Sequence, residues 1–140
     1  MPKALALQAA AVFAAATAFQ PALAIDRCQR PTPNPSMSME GLRRQGGDAR
    51  PLALAAVNLA FAEDDCLRRT AYRRRGAHEP IEVMVSAMLE QCAPTSRAYE
   101  AAQAKAAPSP AALVAGRRDD RRKTAQMALG YAHAYRSCAR

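Results

Sequence analysis

The sequence predicts a small all-α protein: a disulfide-stapled helical hairpin or bundle of three to four helices, set behind a cleaved signal peptide and a Pro-rich lead-in. Three observations carry that prediction. No stretch alternates apolar and polar residues at the strand period, whereas Ile81, Met84, Val85, Met88, Leu89 and Cys92 follow the i, i+3, i+4, i+7 helical template without a miss. Cys66 and Cys92 lie in two neighbouring helical segments, each on the stripe expected to face the other. Alanine, which favours helix but buries little area, is the dominant residue.

Residues 1–24, "MPKALALQAAAVFAAATAFQPALA", carry one charged side chain, Lys3, then an uncharged apolar run that ends in Ala22-Leu23-Ala24. A small-x-small pattern after such a run is an export signal, with cleavage expected after Ala24. A retained membrane anchor is the competing reading, since Ala4 to Ile25 is nominally long enough to span. Pro21, the alanine-rich composition and the lack of basic clusters on either flank weigh against it. Removing 24 of the 140 residues leaves 116, one domain at most, with all four cysteines retained. The expected location is the periplasm or the exterior, an oxidising place where an even cysteine set reads as a disulfide framework.

Residues 25–50 form the expected lead-in. Pro31, Pro33 and Pro35, then Gly46-Gly47, leave no room for a regular element longer than a turn. The segment is expected to be flexible except where Cys28 ties it down. Residues 51–140 are expected to form the single α-helical domain.

The first helix of that domain is expected from Pro51 to about Arg75, with Asp48 as a cap and Gly76 as the break. Leu52, Ala55, Leu59, Ala62, Cys66 and Thr70 make its charge-free stripe, and Leu54, Val57, Phe61 and Tyr72 lie nearly opposite. Pro80 opens the next helix; Pro94 is expected to kink or restart it, and "PSP" at Pro108 to Pro110 to stop it. The last helix is expected over Pro110 to Cys138, with Thr124, Ala128, Tyr131, Tyr135 and Cys138 along its apolar side.

Bulk is scarce in this domain. After the signal, Ala supplies 24 residues, and Leu, Ile, Val, Phe, Met and Tyr together supply only 24 more. Cross-links should therefore matter. With the hairpin turn at Gly76 to Glu79, Cys66 and Cys92 lie about 13 and 18 Å along their helix axes, a mismatch of about one turn. A Cys66–Cys92 bond is reasonable at that offset, and elimination pairs Cys28 with Cys138. Closing the loop between Cys66 and Cys92 is worth roughly 3 to 4 kcal/mol in the chain-entropy model.

Other cysteine chemistry lacks its spacing. No C-x-x-C pair supports a redox or haem site, and no two candidate ligands sit close enough for zinc, with His78 and His133 far apart in sequence. No cofactor or metal is expected. Neither histidine has a nucleophile, a phosphate loop or a paired carboxylate beside it in a recognised catalytic pattern, so catalysis is not expected.

The net charge is +8, and arginine supplies 17 of the 20 basic residues. Arg68, Arg69, Arg73, Arg74 and Arg75 project around nearly the whole helix and suit a solvated end, where exposed carbonyls favour positive charge. In "RRDDRRK", by contrast, Arg117, Arg118, Arg121 and Arg122 share one sector of about 140°. Like charges at i, i+4 destabilise a helix, so a compensating partner is expected. Inside the protein it would be Glu63, Asp64 or Asp65; outside, an anionic envelope component such as lipid or lipopolysaccharide phosphate. Nucleic acid is not expected in an exported protein with few aromatic stacking platforms.

In general plan, Leu59 to Tyr99 resembles short exported helical proteins of GC-rich bacteria that place one cysteine on each of two neighbouring helices. The likeness is one of type, and no function or site is carried over from it. The sequence thus predicts a non-catalytic cell-envelope or exterior protein that acts on an unidentified protein partner through its surface, with anion binding by the arginine face as the alternative. A chaperone-like role would require an exposed apolar face, for which the helix bearing Met84 and Met88 is the candidate.

Overall fold

The computed structural model of the chain describes residues 28–47 and 50–139. The expected signal segment, its expected cleavage after Ala24 and the expected cap Asp48 lie outside those residues. Among the described residues the fold is all-helical: α1 (Met39–Arg44), α2 (Pro51–Arg73), α3 (Ile81–Ala106) and α4 (Pro110–Arg136), closed by a 3-10 turn at Ser137–Ala139. The α2–α3 hairpin is the main contact, and α4 lies against both of its arms. No described helix is long and apolar enough to cross a membrane.

Proline sets the start of each long helix. Pro51 and Pro110 occupy first-turn positions, where a missing N–H costs nothing, and Pro80 immediately precedes α3. Ser109 adds a side-chain cap, its hydroxyl accepting from the Ala112 N–H at 3.1 Å. The helix does not restart at Pro94 but runs through it as one element and, as expected, stops before Pro108, at Ala106. Ser96, two residues later, donates its hydroxyl back to the Cys92 carbonyl at 3.3 Å. At the other boundary α2 stops at Arg73, before Gly76, and Arg74 forks onto Glu79 at 2.8 and 2.7 Å to close the turn.

The core comprises Leu67 and Ala71 of α2, Met84, Met88 and Cys92 of α3, and Ala128, Ala132 and Tyr135 of α4. Ile81, Val85, Leu89 and Tyr131 pack around it. The stripes expected on α3 and α4 therefore face inward. With Met84 and Met88 both at 0% exposure, the apolar face that a chaperone-like role would need is buried. On α2 the inward face follows the expected stripe only in part: Thr70 is buried, but Leu52, Ala55 and Ala62 are exposed, and Glu63, Leu67 and Ala71, outside that stripe, are buried. The buried register is still helical, at i, i+4, i+7, i+8, but a carboxylate and a hydroxyl carry part of it.

Both cysteine pairs are joined. Cys66–Cys92 links α2 to α3 with the Cα atoms 5.8 Å apart, and Cys28–Cys138 ties the lead-in to the end of α4 at 5.3 Å. The lead-in has further anchors. The Asn34 N–H donates to both carboxylate oxygens of Asp65 at 3.0 and 2.9 Å, and the Asn34 amide donates to Asp64 at 2.8 Å. Asn58 and the Met37 backbone exchange two hydrogen bonds, at 2.7 and 3.1 Å. Thus Cys28 is one of several ties.

The lead-in also holds α1, which is longer than the turn expected there. Ser38 caps it, accepting from the Gly41 N–H at 3.0 Å, and Leu42 is its buried residue. Gly46 ends the segment with φ at +71°, a conformation that costs glycine little. The next residue, Gly47, approaches Leu42 so closely that a Cβ would lie 2.5 Å from its Cδ1.

Candidate functional site

Residues Val114, Arg117, Arg118 and Arg121 recur at i, i+3, i+4, i+7 on α4 and line one shallow surface depression of about 360 Å³. Val114 is 62% exposed, the largest value among the bulky apolar side chains of the described residues. Arg122 does not line the depression; it pairs with Asp119 at 2.6 Å on its own helix, beside Lys123, which reaches the other oxygen of Asp119 at 2.5 Å. Of the four arginines expected to form an anion site, the structure gathers three.

The internal partners differ from those expected. Arg121 forks onto Glu100 of α3 at 2.9 and 3.2 Å, not onto Glu63, Asp64 or Asp65. The hydrogen bond from Arg121 and its positive charge hold the Glu100 carboxyl below the usual carboxylate range, with Arg117 adding to the effect. Glu100 is available because α3 continues past Pro94, carrying that residue to the height of Arg121. Asp64 and Asp65 are already engaged: both pair with Arg68 and bind Asn34, and Asp64 also accepts from the Tyr131 hydroxyl. Burial first, and the hydrogen bond to Asp64 second, push the Tyr131 phenol up.

Glu63 has a different surrounding. It is 3% exposed where α2, α3 and α4 meet, and its two oxygens accept from Ser96 and, at 3.3 Å, from Thr124. One hydroxyl from each neighbouring helix replaces the water that the carboxylate loses on folding. Glu63 lies at the back of a cleft whose outer wall includes Arg97, Tyr99 and Arg121. Periodicity cannot find such a residue, because a charged side chain in a helical sequence reads as solvent-facing.

A third depression, of about 340 Å³, opens between the start of α2, the end of α3 and the start of α4. Its walls are chiefly alanine, with Arg50, Gln103 and Arg117 as the polar groups. Gln103 donates to the Tyr99 hydroxyl at 2.8 Å and to Asp120 at 2.5 Å, which fixes the orientation of its amide. Its Oε1 is then buried without a hydrogen-bond partner, and so is Nε of Arg117. Burial, then the charges of Asp120 and Glu63, push the Tyr99 phenol up to about 12.

The two histidines are not brought together. His78 is exposed in the α2–α3 turn, and His133 is exposed on α4. Among the described residues no three His, Cys, Asp or Glu side chains assemble as a metal-ligand set. The surface arrangement suits recognition of an anion: planar guanidinium forks match phosphate and carboxylate oxygens. In comparison with protein-family models, with curated proteins and with solved structures, the chain matches none.

Proposed function

We propose that this is a non-catalytic helical protein of the cell envelope or exterior that works by binding, and that its binding surface is the arginine-lined stripe of α4, which meets anionic groups of an envelope component. One observation carries the reading: Val114, Arg117, Arg118 and Arg121 form one depression in which only Arg121 is ion-paired to another helix. Arg118 is exposed and makes no ion pair among the described residues. Like charges at i, i+3 and i+4 weaken a helix by a few tenths of a kcal/mol per pair, and an external anion offsets that repulsion.

Two further features support the placement outside the cytoplasm. Both disulfides suit an oxidising compartment, and the amino-terminal sequence has the pattern of an export signal. The test is direct. Arg117, Arg118, Arg121 and Arg122 are replaced together by glutamine, and binding to vesicles containing anionic lipid is measured against salt. The expected result is binding by the parent that weakens with salt and is lost in the variant. Unchanged binding in the variant, or none in the parent, removes the proposal.

A further inference from the structure

The alanine-walled groove and the arginine stripe share one residue, Arg117, which lines both depressions. On the inner side of Arg117 lie Ala112, Leu113 and Gly116, faced by Ala53 and Ala56 of α2 and by Ala106 of α3. On the outer side lie Arg118 and Arg121. An apolar slot thus runs up to a cluster of guanidinium groups. From this juxtaposition we infer that the groove between α2, α3 and α4 takes the alkyl part of a phosphate-headed amphiphile, with Arg117 at the junction between its chain and its head. The inference rests on the proposed anion-binding surface and adds the chemical class of its ligand.

Charge complementarity selects this occupant. Arg117, Arg118 and Arg121 line the depression that adjoins the groove, so an anionic head is favoured there and a neutral or cationic one is not. The volume, about 340 Å³, lies at the low end for small-molecule pockets, which suits one short chain. The buried Nε of Arg117 lacks a hydrogen-bond partner, and a phosphate head at the junction supplies an acceptor once the guanidinium turns toward it.

Gly116 provides a clean test, because a Cβ built there meets nothing within 4 Å. A Gly116→Leu substitution keeps the helix and fills the slot. Binding of butyl, hexyl and octyl phosphate, each below its micelle concentration, is measured by calorimetry on the oxidised full chain, with octyl glucoside and inorganic phosphate as controls. The expected result is an affinity that rises about fourfold for each added methylene that the slot buries. The dependence on chain length should vanish in Gly116→Leu while inorganic phosphate still binds weakly. Arg117→Gln should weaken octyl phosphate about ten- to hundredfold.

Other outcomes separate the two claims. Equal affinity for inorganic and octyl phosphate overturns the groove and leaves the anion surface standing. Equal affinity for octyl glucoside and octyl phosphate overturns the role of the arginines. No binding of any probe overturns both. Self-association that Gly116→Leu abolishes, with no octyl phosphate bound, assigns the groove to a second copy of the chain and overturns the inference.

Discussion

The two ends of the helical bundle are built differently. At the end nearest the α2–α3 turn, Leu67, Met84, Met88, Ala128 and Ala132 are fully buried, Tyr135 packs against Tyr72 edge-on, and Cys66–Cys92 joins the two arms. At the opposite end the helices meet through Ala53, Ala56, Ala106 and Ala112, none of which is fully buried, and a groove remains between them. Alanine lets helices approach but fills little space. One sequence composition therefore yields a packed end that holds the fold and an open end that offers a surface, with the buried carboxylate Glu63 between them.

Truncating bulk should separate the ends most strongly. Leu67→Ala removes a fully buried side chain and is expected to cost roughly 2 to 5 kcal/mol in denaturant unfolding. Leu113→Ala, at the half-buried rim of the groove, is expected to cost under about 1.5 kcal/mol. Similar losses at the two sites would break the comparison.

Replacing Cys66 and Cys92 together with serine should lower stability by roughly 3 to 4 kcal/mol, read by the same unfolding measurement. A loss under about 1 kcal/mol would mean that the packed end stands without its cross-link. A smaller effect is expected where the lead-in is anchored to α2. Asp65→Asn turns an acceptor of two contacts from the Asn34 N–H into a mixed group, and should cost about 1 to 3 kcal/mol. The smallest backbone effect has the opposite sign: Gly116→Ala at the open end should stabilise by about 0.5 to 1 kcal/mol, because its Cβ enters open space on a helix.

Acid and alkali test the ends by charge. Hydrogen bonds from Arg74 hold Glu79 low at the packed end, and a hydrogen bond from Arg121 holds Glu100 low at the open end. A depressed carboxyl stabilises the fold fully above its ordinary value of 4.5, and the contribution is lost as pH falls through the lower folded value. Arg74→Gln and Arg121→Gln should each flatten that acid limb slightly. On the alkaline side Tyr99 holds its proton to about 12, so stability should decline as pH rises from 10 toward 12. Phenolate absorbance that rises in one step at the ordinary tyrosine value would contradict this.

The packed end was the more legible in sequence, for physical reasons. Between Ile81 and Cys92 the positions that follow the helical period (Ile81, Met84, Val85, Met88, Leu89, Cys92) are all uncharged, and each cysteine of the Cys66–Cys92 pair lies where its helix faces the other. The inward face of α2 departs from the expected stripe because Glu63 and Asp65 are buried with partners on other segments, while the more apolar Leu52 and Ala62 are left outside. Tertiary hydrogen bonds decide that face. In the lead-in, proline and glycine density hid α1, although Ser38 before Glu40 and the closing Arg43-Arg44 are start and stop signals.

At the open end, the sector shared by Arg117, Arg118 and Arg121 was legible from the 100° step, since all three lie on one helix. Their partner was not. Glu100 comes into reach only because α3 continues through Pro94, against the local preference of proline. The alanine groove gave no signal at all, because it is a space left between three helices rather than a pattern within one.

Amide hydrogen exchange of the oxidised chain tests the central contrast most directly. The account predicts that amides of residues 67–71, 84–92 and 128–132 exchange only through global unfolding, while those of residues 54–60 and 114–118 exchange through local opening and orders of magnitude faster. Uniform protection along all three long helices would contradict it.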